Sequence, residues 1–208
     1  MFKIERFSIV FIFVLISLSV YSQKSIGFYG TINYGNLIDN SNIDFFDSDF
    51  SNSYGIMYSK KIHNKIELVS QFGHEGVGWI SKDLGDENSN LDLYWKGKSL
   101  SIFIGGNYNV LTSGRFKFGL LVLPKIGYVY NQEYRIDENR EIGITEYSTN
   151  RNLLLGIETR LNFGMSVFNS FDLHIRPGYS FIPYFDNNDY TKRNWSIDVG
   201  VFKRLSQN

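Results

Sequence analysis

Side chains able to do chemistry are spread along this chain at every second position of short alternating segments, not gathered in one motif. Glu67, Lys117, Lys125, Glu158, Arg160, Asp172, His174, Arg176 and Asp198 all fall on the polar side of such an alternation. Folding Tyr147 to Gly164 against Phe171 to Tyr184 brings Glu158 near Arg176. Folding the second of these against Asn194 to Leu205 brings Asp198 to the same arginine. A cluster of Glu158, Arg176 and Asp198 is therefore expected. An arginine between two carboxylates satisfies its planar fork of donors without leaving a bare charge in a closed interior. The first reading of this cluster is a salt-bridged plug and the second a gated conduit or proton relay, with inward Leu121 and Leu123 arguing against a continuously wet bore.

Hydrolytic chemistry needs a nucleophile, a base and an orienting acid within hydrogen-bond reach. The sequence contains no GxSxG, and its three histidines lie on different segments: His63 in a short turn, His74 beside Glu75 near a rim, and His174 on an inward face. His74 and Glu75 form the one pair placed for lipid chemistry at an interface. The histidines have no second ligand at hairpin or helical spacing. Asp44, Asp47 and Asp49 in the acidic run 39–49 offer oxygen ligands but lack the spacing of calcium loops. No catalytic residue, metal site or cofactor is expected.

The elements that position these groups are β-segments. The 208 residues contain no alanine, the best helix former, and are rich in Gly, Phe, Tyr and Ile. Basic and acidic side chains balance at 21 each, which excludes the strongly basic field of a nucleic-acid binder. With no cysteine there is neither a disulfide framework nor a thiolate site. Lys3 and Arg6 precede the apolar run Phe7 to Val20 and then Val20-Tyr21-Ser22, the pattern of a cleaved secretory leader over 1–22. That run is too short to span a bilayer as a helix. One domain is expected over 23–208.

Eight alternating segments follow: Ser25 to Asn36, Asn52 to Lys60, Lys65 to Ile80, Lys98 to Val110, Phe116 to Tyr130, Tyr147 to Gly164, Phe171 to Tyr184 and Asn194 to Leu205. Folding the fourth on the fifth about 111–115 matches Tyr108 with Phe118, Ile104 with Val122 and Leu100 with Ile126, apolar face to apolar face. Connections alternate strictly: 61–64, 111–115 and 165–170 are short, whereas 37–51, 81–96, 131–146 and 182–193 are long. Tyr34, Tyr54, Tyr128, Tyr179 and Trp195 gather at the long-loop ends, and Tyr108 and Phe171 at the short-turn ends. Together they form two girdles of the kind found at membrane interfaces. The predicted fold is all-β, an eight-stranded antiparallel up-and-down transmembrane barrel with short periplasmic turns and long outer loops.

On this pattern, and on the closing run Val199-Gly200-Val201-Phe202-Lys203-Arg204-Leu205, the chain resembles the small eight-stranded outer-membrane barrels of the OmpA and OmpX type. The resemblance implies the outer membrane of a diderm bacterium as its place. It also implies outer-membrane lipids, periplasmic chaperones and the barrel-assembly machinery as its partners. The usual terminal aromatic of that closing strand is here Leu205, followed by Ser206-Gln207-Asn208.

The leading expectation is a non-enzymatic barrel whose loops, bearing Phe45, Phe46, Phe50, Leu93, Tyr94 and Trp95, contact an extracellular ligand, mediate adhesion or support envelope integrity. A lipid-modifying enzyme, an accessory barrel of a secretion or transport system and a soluble ligand-carrying barrel are the alternatives. The last would place the apolar stripes inside.

Overall fold

The structure, a computed structural model, describes residues 23–39, 49–81, 91–138, 141–148, 152–168, 170–183 and 190–205. The expected leader, Asp44, Asp47, Phe45, Phe46 and the tail 206–208 lie outside the described residues, as do the side chains of Asp49, Leu93, Tyr94 and Trp95. Nine strands run β1 (Lys24–Asp39), β2 (Asp49–His63), β3 (Ile66–Ser81), β4 (Leu91–Ser113), β5 (Phe116–Glu138), β6 (Glu141–Ser148), β7 (Asn152–Phe168), β8 (Phe171–Pro183) and β9 (Tyr190–Leu205). Each barrel stave pairs antiparallel with its neighbours, and the ring closes where β1 meets β9 and β4 meets β5. Eight strands form the wall, so no barrel edge is left to template another chain. The remaining strand, β6, pairs with the outer end of β5, from Gln132 opposite Ser148 to Glu138 opposite Glu141.

Period-two alternation sets the faces. Along β9, Trp195, Ile197, Val199 and Val201 are exposed outside, while Ser196, Asp198 and Phe202 are buried inside. Along β1, Phe28 and Ile32 face out, and Tyr29 and Thr31 face in. The apolar stripes are therefore on the exterior, the reverse of a soluble carrier. On β4 the outward stripe runs from Leu100 through Ile102, Ile104 and Tyr108 to Val110. Ten rises of ~3.4 Å each, tilted by about 40°, stand ~26 Å tall, close to the roughly 25 Å apolar band of outer-membrane barrels.

The short turns are tighter than expected. Asn64-Lys65 and Gly114-Arg115 are two-residue connections, and β7 runs on to Phe168 before returning at Phe171. Gly114 takes a left-handed φ of 56°, which a glycine adopts without a Cβ penalty. Beside each turn the register slips by one residue, at Ile62, Val110 and Val167. The β4–β5 pairing is consequently Tyr108 with Leu120, Ile102 with Ile126 and Leu100 with Tyr128. That is two residues away from the expected match, which keeps every side chain on its proper face. The expected long loops also shorten. The stretch 131–146 is mostly the β5–β6 hairpin, and Tyr147, expected to open the sixth stave, belongs to β6. Pro177, with no N–H to give, coincides with a gap in the β7–β8 ladder opposite Leu161 and Asn162.

Candidate functional site

The barrel interior carries the chemistry. Asp198, fully buried, accepts from Arg176 Nε at 2.5 Å, from Arg160 Nη1 at 2.9 Å and from Thr31 Oγ1 at 3.1 Å. Arg176 Nη2 also pairs with the same carboxylate. Glu158 is bound by Arg160 Nη2 at 2.8 Å and by Ser196 Oγ at 3.0 Å. Of the three residues expected together, Arg176 and Asp198 are direct partners, opposite one another on β8 and β9. Glu158 does not reach Arg176, because the β7–β8 register sets Glu158 against Ser180 and Arg160 against Gly178. Arg160, on the same inward face as Glu158 and two residues further along β7, takes the bridging place between the carboxylates.

Toward the loop end, Lys125 pairs with Glu75, which also accepts from Ser101 Oγ at 2.5 Å. His74 and Glu75 are thus sent to opposite faces by the strand's own alternation, and the interfacial His–Glu pair does not form. His74 stacks outside on Tyr54, with ring centres 5.2 Å apart. Toward the turn end, His174 Nδ1 meets Asn162 Oδ1 at 2.7 Å, and Asp172 receives Lys117 at 3.4 Å and Ser166 Oγ at 2.7 Å. Glu67 is held by Asn107 and Asn109.

Between these polar layers lie Tyr29, Met57, Val69, Phe103, Leu121, Leu123 and Phe202, which form one buried cluster. Guanidinium and aromatic planes interleave with it: Arg176 sits 5.1 Å from the Phe202 ring centre and Arg160 6.0 Å from that of Phe103. An eight-stranded barrel has room only for its own side chains. The cavity lined by residues of the turn-side mouth, Asp172, His174 and Lys117 among them, is about 30 Å³, enough for a water or two. Leu121 and Leu123 are 1% and 0% exposed, so the bore is closed at its middle.

The outer wall completes the picture. Tyr34, Tyr54 and Trp195 are exposed at the loop end, with Tyr128 just below, and Tyr179 packs edge-on against Trp195 at 5.0 Å. Tyr108 and Phe171 are exposed near the turns. Between the two aromatic rows the buried charges face in and the exposed side chains are largely apolar.

The chain is similar to small outer-membrane barrels of solved structure. Neisserial surface protein A matches at 16% identity and a TM-score of 0.43, over 86% of this chain and 97% of that one. Ail, the attachment invasion locus protein of Yersinia pestis, matches at 12% and 0.49, over 89% and 100%. OprG of Pseudomonas aeruginosa matches at 13% and 0.44, over 90% and 98%. No protein-family profile and no curated protein matches the chain. Among the described residues no group of three or more His, Cys, Asp or Glu is arranged to hold a metal ion.

Arg160 as the hub and the Glu75–Lys125 pair were missed by sequence reasoning. The first needed the correct register between β7 and β8. The second joins β3 to β5 over the inward face of β4, where Ser101 also meets Glu75, a reach across an intervening strand that folding one hairpin at a time does not reveal.

Proposed function

We propose that this protein is a non-enzymatic outer-membrane barrel of a diderm bacterium. Its rigid wall carries the loop-end segments at the cell surface for adhesion, ligand contact or envelope integrity. The observation that carries this reading is the pairing of a belt of exposed Phe, Ile, Val and Leu with an occluded, ion-paired interior. Hydrocarbon accepts a β-structure only if its backbone is fully paired in a closed ring. A belt this wide on a protein in water would drive association. The leader over 1–22 directs export, with cleavage before Gln23, and the chaperones and assembly machinery of the envelope fold the barrel into place. The non-enzymatic reading is supported by His74 and Glu75 facing apart, so that the interfacial His–Glu pair is not assembled.

The test is electrophoretic and chemical. Detergent-extracted protein run unheated and boiled should migrate as two different bands, and the lipid A mass profile of cells with and without the protein should be identical. One band together with solubility in plain buffer would mean a soluble carrier, and an altered lipid profile would mean an enzyme.

A further inference from the structure

Above the Tyr54–His74 stack, the outer wall carries a groove of about 440 Å³ reaching from β2 to β5. Its cationic members are Lys96 and Lys98, both exposed on the outward face of β4 directly above Leu100, Ile102 and Ile104. The β3–β4 register sets Gly76 opposite Lys98 and Gly78 opposite Lys96. The residues directly across β3 from the two lysines are therefore both glycines, which present no side chain to them. On the β5 side Lys98 faces Asn131 and Lys96 faces Glu133, the one carboxylate among the described residues that line the groove. The lysines outnumber it. Among the groove's lining residues, His74 holds a buried Nδ1 without a hydrogen-bond partner.

Depth decides what this groove meets. Two residues below Lys98 on the same strand stands Leu100, the first of the exposed apolar side chains of the outward β4 stripe. Lys98 therefore stands ~5 Å higher, at the level of lipid headgroups. A cationic recess on a lipid-facing wall at that level is complementary to an anionic headgroup, with Lys as a point-charge phosphate binder and tyrosine and imidazole faces beneath it for the glycerol or sugar. Resting on the membrane placement argued above, we propose that this groove seats the phosphorylated headgroup of an outer-leaflet lipid, with Lys96 and Lys98 as its phosphate contacts.

The experiment uses the full barrel purified in neutral detergent, loaded with diphosphoryl lipid A and read by native mass spectrometry as retained lipid per barrel. Wild type should retain it. Lys96→Gln with Lys98→Gln should bind roughly thirtyfold more weakly, from about fivefold per lysine near a charged surface. Lys96→Arg with Lys98→Arg should retain it, and Glu133→Gln should not weaken it. Dephosphorylated lipid A should be lost, and millimolar inorganic phosphate should not displace the bound lipid.

Equal retention by the wild type and the double Gln variant would overturn the proposal, as would displacement by free phosphate, which would make the site one for a soluble anion. Unheated and boiled samples of each variant should give the two bands of a folded barrel, so a loss of lipid is not a loss of fold. If wild type itself lacks those two bands, the membrane placement fails. If it has them but lipid retention ignores the lysines, only the headgroup site fails.

Discussion

At the residue scale the molecule turns on Asp198. Its carboxylate serves two buried guanidinium groups and a hydroxyl, and Arg160 passes the charge balance on to Glu158. Removing one partner of a buried ion pair leaves an uncompensated charge, whereas removing both partners together does not. Asp198→Ala should therefore lower the unfolding free energy by about 3–5 kcal/mol, measured as urea unfolding in lipid vesicles. Asp198→Leu combined with Arg176→Met should cost less than Asp198→Ala alone, although it changes more atoms. If the double variant instead sums the losses of its single variants, the two side chains act independently and the network is not a unit.

At the element scale, period two made the faces legible and left the register to finer detail. Every residue placed on an inward stripe by alternation is turned away from lipid, because a strand's side chains cannot choose their face one at a time. What alternation could not reveal is the length of each turn and the extra residue beside it. The bulge at Val110 and the two-residue turn at Gly114-Arg115 shift β4 on β5 by two, a change invisible to a pattern that repeats every two residues. The same blindness at Val167 moved Glu158 from Arg176 to Arg160 as its partner. β6 escaped notice because its sequence, Glu141-Ile-Gly-Ile-Thr-Glu-Tyr-Ser148, is polar and lies in a stretch otherwise read as loop.

Two outcomes follow for the strands. Gly114→Val, forced into a left-handed φ, should cost roughly 1–2 kcal/mol and lower the unfolding midpoint without altering the heat-dependent band pair. On β4, Ile104→Arg, near the middle of the outward stripe, should cost ~2–4 kcal/mol in a bilayer and Val110→Arg only ~0–1 kcal/mol, because the penalty follows depth. Equal costs at both positions would place neither in hydrocarbon.

At the scale of the whole molecule, closure and occlusion go together. Eight staves enclose a space whose middle is occupied by Phe103, Leu121, Leu123 and the Arg160–Asp198–Arg176 bridge. Reconstituted into a planar bilayer, the protein should carry no large steady current. Persistent conductance would mean that the interior ion pairs rearrange into an open path.

The most direct test of the central claim is accessibility at single cysteines, clean here because the chain has none of its own. Spin labels at Ile197→Cys, Val199→Cys and Val201→Cys should collide with oxygen dissolved in the bilayer and be shielded from an aqueous nickel chelate. A label at Arg115→Cys in the turn should do the opposite, and Ser196→Cys should resist labelling until the protein is unfolded. Free access of the chelate to 197, 199 and 201, with ready labelling at 196, would turn the barrel inside out and contradict the account.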